Sequence, residues 1–170
     1  PVCGPSRTSV FTGYRPDTLN IFNNDAKTAD ENVGKMAAEM GNRLLHEYFG
    51  DHGYKTMAVG KLLHQHVPKK SVELSGGRGS FGPKPDKKIN FTARGTSTDW
   101  GAYPESDDLL PDIKAAQWAS ARLNEEHGDP FFLMVGFLRP HVPWYVPQKW
   151  WDLYDPDQIT LAPYKSDDLD

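Results

Sequence analysis

The chain has 170 residues, enough for a domain with a real core. Its 19 Lys and Arg against 23 Asp and Glu give a formal net charge of −4, with no basic run or patch of the kind that grips nucleic acid, so no nucleic-acid partner is expected. No apolar stretch reaches membrane-spanning length, so no membrane partner is expected, and one cysteine excludes an internal disulfide framework.

In chain order, Pro5 suits the first turn of a helix, where its missing N–H is not needed, and the spacing predicts a helix over 6–11 stopped by Gly13. Residues 20–32, with Asn-Asn-Asp at their centre, read as loop. Met36, Met40, Leu44 and Tyr48, widened by Ala37 and Leu45, predict one helix over 33–49, ended by Gly50 and Gly53. A short buried strand is expected at 54–59, followed by Gly60-Lys61-Leu62-Leu63-His64. Residues 67–108, rich in Gly, Pro, Ser and Lys, support no long helix and no strand; so long a loop often rims an active site. Pro111 opens a helix over 111–126 with Ile113, Ala116, Ser120 and Leu123 on one face. The continuous apolar run at 131–137 predicts a central strand covered on both faces. A short helix at 148–154 and a strand or extended segment at 159–161 complete the pattern, and Asp167-Asp168 reads as a solvated acidic tail. Helix, strand, helix, strand is the rhythm of an α/β protein with a mostly parallel sheet flanked by helices.

Three groups carry chemistry. Cys3 would sit at the N-terminus of the first helix, where the dipole and free N–H groups favour an anion, and Arg7, one turn on, points back toward it. A lone cysteine is also consistent with a small buried hydrophobe. A thiolate phosphatase loop fits less well, because its arginine follows more residues than the three between Cys3 and Arg7, and Pro5 removes a phosphate-binding donor. Lys61 and His64 follow the first strand, and Arg139-Pro140-His141 follows the second. In an open α/β sheet both clusters fall at the C-terminal edge, where ligands bind. Taken singly, Lys61 reads as solvated and each histidine as a hydrogen-bonded or surface residue. Trp144, Tyr145, Trp150 and Trp151 follow closely and could stack on a sugar ring or serve as ordinary core and surface aromatics.

Cys3-Gly4-Pro5-Ser6-Arg7, continued by Thr8-Ser9 and by Thr12-Gly13-Tyr14-Arg15-Pro16, resembles the signature of the type I sulfatases. Gly53-Tyr54, Thr56-Met57, Val59-Gly60-Lys61 and His64 are similar to the iduronate-2-sulfatase branch of that family. So are Leu110-Pro111-Asp112, Pro130 to Val135-Gly136, Pro140-His141 with Pro143, and Leu153-Tyr154 through Pro163, with 67–108 the weakest part. The resemblance implies an alkaline-phosphatase-like α/β fold and hydrolysis of sulfate esters, of sulfated saccharides in particular. It implies that a separate maturation enzyme oxidises Cys3 to formylglycine, whose hydrate attacks sulfur and whose second hydroxyl later expels sulfate. It gives Arg7 the task of holding that residue, Lys61 and His141 the sulfate, His64 a formylglycine hydroxyl, and His141 the departing alcohol. It also implies Ca2+, with Cys3 as formylglycine the one ligand in these residues and the other metal ligands outside them. The expectation is therefore a stretch of one sulfatase catalytic domain, residues 1–170, inactive alone, from a secreted, periplasmic or lysosomal protein. A phosphoester or phosphonate hydrolase of the same superfamily, and a non-catalytic sugar-binding relative, remain as alternatives.

Overall fold

The structure, a computed structural model, describes residues 2–163 and 165. Asp167-Asp168 lies outside the described residues. The described residues contain helices α1 (Cys3–Thr12), α2 (Pro16–Leu19), α3 (Asp30–Glu39), α4 (Leu45–Asp51), α5 (Pro111–Leu123) and α6 (Gln148–Trp151). The strands are β1 (Lys55–Gly60), β2 (Leu74–Gly77), β3 (Trp100–Ala102), β4 (Phe131–Gly136) and β5 (Trp144–Val146). They fall into two compact units, residues 1–82 with 108–140, and residues 83–107 with 141–170.

The first unit is built on a parallel sheet in the order β2-β1-β4, the α/β arrangement expected. Alternation along the strands sends Ala58 and Met134 to one face, where Phe11, Val33, Ala37, Leu44, Leu62 and Leu63 cover them. Val59 and Leu133 meet Ala115, Trp118 and Ala119 of α5 on the other. Complete burial of side chains such as Met57 and Leu63 stabilises the fold by about 1.5–3 kcal/mol each. The strand covered on both faces is β1; β4 has only Met134 and Gly136 buried, and Val135 is 39% exposed. Continuous hydrophobicity marks both as parallel strands but does not say which lies between the others.

Other boundaries moved for local reasons. α1 begins at Cys3, so Pro5 is its third residue, still among the positions whose N–H has no intrahelical partner. The single helix expected over 33–49 is two, because Gly41 adopts φ +71° and the chain closes a Schellman cap, Asn42 N–H donating to Ala37 O and Gly41 N–H to Ala38 O. α4 restarts with the Glu47 carboxylate accepting from Leu44 N–H. α5 ends at Leu123, which is exposed, and its inward face is Ala115 and Ala119 rather than the stripe through Ile113 and Ala116. Those alanines admit close approach to the sheet, and Gly76 makes room for the Trp118 indole, 2.7 Å from where a Cβ would stand.

Region 67–108, expected to hold no strand, holds β2 and β3; Leu74-Ser75-Gly76-Gly77 carries none of the branched or aromatic residues by which a strand is read. In the second unit β3 and β5 pair in parallel, Trp100 opposite Trp144 and Gly101 opposite Tyr145. Its hub is the buried Asp99 carboxylate, which accepts from the N–H groups of Ile89, Asn90 and Phe91 and from the Tyr145 hydroxyl. The Tyr145 hydrogen bond and the three backbone donors hold the Asp99 carboxyl far below the usual range against the cost of burial, while burial and Asp99 push Tyr145 up to about 12. The short helix expected at 148–154 stops at Trp151, and 159–161 form no strand. No helix among the described residues is long and apolar enough to cross a membrane.

Candidate active site

β1 ends at Gly60, where φ is +83° and a Cβ would collide with the Gly136 carbonyl at the end of β4. This close approach lets Lys61 N–H donate to Gly136 O at 2.8 Å, and the chain turns sharply over the sheet edge. The turn is tied on every side. Arg7 Nη1 donates to Lys61 O at 2.8 Å and to Leu62 O at 2.9 Å. The Asp30 carboxylate accepts from Gln65 N–H and, at 2.7 Å, from His66 N–H. His66 Nδ1 lies 2.7 Å from Gly60 O, an acceptor only, so Nδ1 carries a proton, and Nε2 shares a hydrogen bond with Ser75 Oγ at 2.8 Å. Sequence reasoning foresaw Arg7 pointing at Cys3; the structure commits its Nη1 to the backbone carrying Lys61.

That turn delivers two side chains to the N-terminus of α1. Cys3 Sγ lies 3.6 Å from His64 Nδ1 and 3.8 Å from Lys61 Nζ. Asn24 Nδ2 approaches the same sulfur at 3.3 Å, and Asn24 Oδ1 accepts from Gly4 N–H at 2.8 Å, satisfying one of the free donors of the helix start. Gly4 is required for that approach: a Cβ would stand 2.5 Å from Asn24 Oδ1 and 2.8 Å from Thr28 Cγ2. Asn24 sits in the segment read only as loop, and an asparagine there carries no signal that separates a site residue from a turn residue.

Lys61 is not solvated, as its residue type suggests, but 4% exposed. Burial lowers its pKa first; the neighbouring Cys3 opposes that, and the charges of Arg7 and Arg78 add to it. No ion pair among the described residues involves Arg7, Lys61 or Arg78. The surroundings of Cys3 are therefore cationic and suited to an anion. Among the described residues no three His, Cys, Asp or Glu side chains come together as metal ligands, so these residues alone do not supply the six or more oxygens that the implied calcium ion wants.

Four of the expected site residues, Cys3, Arg7, Lys61 and His64, are thus assembled in the first unit. His141 and Trp144 belong to the second. There His141 is exposed with Nδ1 2.7 Å from Val142 O, and Trp144 is 47% exposed on β5. Tyr145 is buried on Asp99, and Trp150 is tied through its indole N–H to Asp107. The neighbouring Arg139 is fixed by Asp112 at the start of α5, whose carboxylate accepts from Leu138 and Arg139 N–H at 2.8 and 2.9 Å.

A cysteine at a helix N-terminus thus faces a buried lysine and a histidine at the edge of a parallel sheet. The model of the Sulfatase family matches residues 1–161, and the chain belongs to the sulfatase family. It is 44% identical to a sulfatase of Formosa agariphila over 99% of this chain and 36% of that protein. It is 31% identical to the human iduronate 2-sulfatase, over 95% of this chain and 31% of that one. An ulvan-active sulfatase of Formosa agariphila is 28% identical over 96% of this chain and 31% of its own length. The chain spans about a third of the length of these curated relatives.

Proposed function

We propose that the protein hydrolyses sulfate monoesters with Cys3 as the site of its nucleophile. The observation that carries this reading is Cys3 Sγ, at the N-terminus of α1, within 3.8 Å of the buried Lys61 ammonium and 3.6 Å of His64 Nδ1. Oxidised to formylglycine by a maturation enzyme, residue 3 supplies a hydrated aldehyde, a nucleophile whose adduct collapses without water attacking a stable ester. The sulfur atom marks where its oxygens stand. Lys61 binds the sulfate oxygens and offsets the charge that grows on them as the ester bond breaks. His64, beside residue 3, orients its hydroxyl and takes its proton. Arg7 positions both by holding the Lys61 and Leu62 carbonyls. His141 is assigned to protonate the departing alcohol and Trp144 to stack on a sugar ring, on the strength of the motif alone. Calcium ligands beyond residue 3 are assigned to parts of the full-length protein outside this chain, and no step above depends on them. Sulfated saccharides are the proposed substrates, since relatives named for iduronate and ulvan are among those matched, and a secreted, periplasmic or lysosomal site fits such substrates.

The test is sulfate release by the full-length protein, coexpressed with the maturation enzyme, from an aryl sulfate and from sulfated saccharides, beside aryl phosphate and phosphonate esters. Sulfate release that Lys61→Ala and His64→Ala each reduce by about 100-fold or more supports the reading. Release of phosphate without sulfate replaces it by the phosphoester reading.

A further inference from the structure

The cations around the site exceed what one sulfate ester needs. β2 runs parallel to β1 with Gly77 opposite Val59, so Arg78, the next residue, stands beside the Gly60–Lys61 end of β1, a strand spacing of about 4.8 Å to the side. Its guanidinium carbon lies 5.6 Å from the centroid of the Phe81 ring, which holds the group in place from one face. Its Nε is buried, and no group among the described residues accepts from it. No carboxylate among the described residues pairs with Arg78, and its charge acts on another cation, Lys61. Holding a half-buried guanidinium next to a buried ammonium without a counter-charge costs stability and favours an incoming anion.

A sulfate monoester carries a single negative charge, and Lys61 with His64 already faces it beside Cys3. We propose that Arg78 forms a second anion subsite next to the sulfate site, receiving a further negatively charged group of the substrate, a carboxylate or a second sulfate, on the same sugar or the adjoining one. This rests on the sulfate-ester reading above. The paired N–H donors of a guanidinium grip an oxyanion in a fork, which a lysine in its place cannot reproduce. Arg78 lies within 67–108, and nothing in its neighbours Gly77 and Gly79 announces it.

The test uses the full-length matured protein and three esters: a neutral sugar monosulfate, a sulfated uronate and a disulfated sugar. Arg78→Gln is expected to raise KM about 10- to 100-fold for at least one of the two dianionic esters with kcat nearly unchanged. KM for the neutral ester should stay within about threefold, and Arg78→Lys should recover part of the loss. Which dianionic ester suffers more separates carboxylate from sulfate. An equal loss on all three esters, no loss on any, or a parent enzyme that shows no preference for the dianionic esters overturns the subsite while leaving the sulfatase reading intact. Sulfate release from none of the three overturns both. Should Arg78→Gln not fold, as judged by circular dichroism and Tm, the Arg78→Lys comparison on the same esters decides, with a several-fold rise in KM confined to the dianionic ones expected.

Discussion

His46 is the residue by which acid should loosen the first unit. It lies in α4, fully buried, with its ring edge-on to Phe11 at 5.7 Å. Ser71 Oγ donates to Pro68 O at 2.8 Å, so its remaining lone pairs accept from His46 Nε2 at 2.8 Å, and the ring is neutral with its proton on Nε2. His46 Nδ1 is buried without a partner among the described residues, so a second proton there would be an unpaired buried charge. Burial, with the nearby His66 adding to it, pushes the pKa down from 6.5 to about 4. The folded pKa lies below the unfolded one, so below pH 6.5 the unfolded chain binds a proton that the folded chain refuses. The contribution of His46 is therefore complete above pH 6.5, falls as pH drops from there toward 4, and changes no further below that. A shift of this size corresponds to roughly 3 kcal/mol lost across the window. Denaturant unfolding of the full-length protein between pH 7.5 and 4, compared with His46→Gln, measures it: the parent should lose more stability than the variant over that range. NMR titration of the His46 ring gives the pKa directly. Equal pH dependence of the two proteins, or a ring that titrates near 6.5, would refute the reasoning.

Two further perturbations act on the turn that carries Lys61. Gly60→Ala forces a side chain at φ +83° into the Gly136 carbonyl, and the variant should fail to fold or lose more than about 3 kcal/mol in denaturant melts; a loss under about 0.5 kcal/mol would show that the strand ends can part. Asp30→Ala removes the acceptor for Gln65 and His66 N–H, so hydrogen exchange at His66 should quicken and KM for sulfate esters rise several-fold, with Asp30→Glu intermediate; unchanged exchange would mean that His66 and Arg7 hold the turn unaided.

The parts of this site legible in the sequence were those whose chemistry is local. Cys3 and Arg7 share one helix turn, and Lys61 and His64 follow a strand whose apolar run and glycine are visible in the chain, so the sheet edge where they meet could be anticipated. Asn24, Asp30, His66 and Arg78 act through backbone groups or charges of residues that folding alone brings near, and their residue types are ordinary for loops. The burial of Lys61 was hidden for the same reason: the close approach of Gly60 to Gly136 fixes the turn that carries it, and no pattern in residues 60–64 reports that approach. The helix break at Gly41 was the exception, a glycine followed by asparagine that does announce a left-handed cap. The periodicity of Met36, Met40 and Leu44 outweighed that signal.

The central claim is that Cys3 is a precursor and not a working thiol. Conversion to formylglycine removes sulfur and two hydrogens and adds oxygen, a net loss of about 18 Da. The deciding measurement is the mass of the peptide carrying Cys3, taken from full-length protein made with the maturation enzyme and set beside its sulfate-releasing activity. The account predicts the lighter peptide, activity that rises with its fraction, and none in Cys3→Ala; full sulfate release from protein whose Cys3 remains a thiol, or from Cys3→Ala, would contradict it.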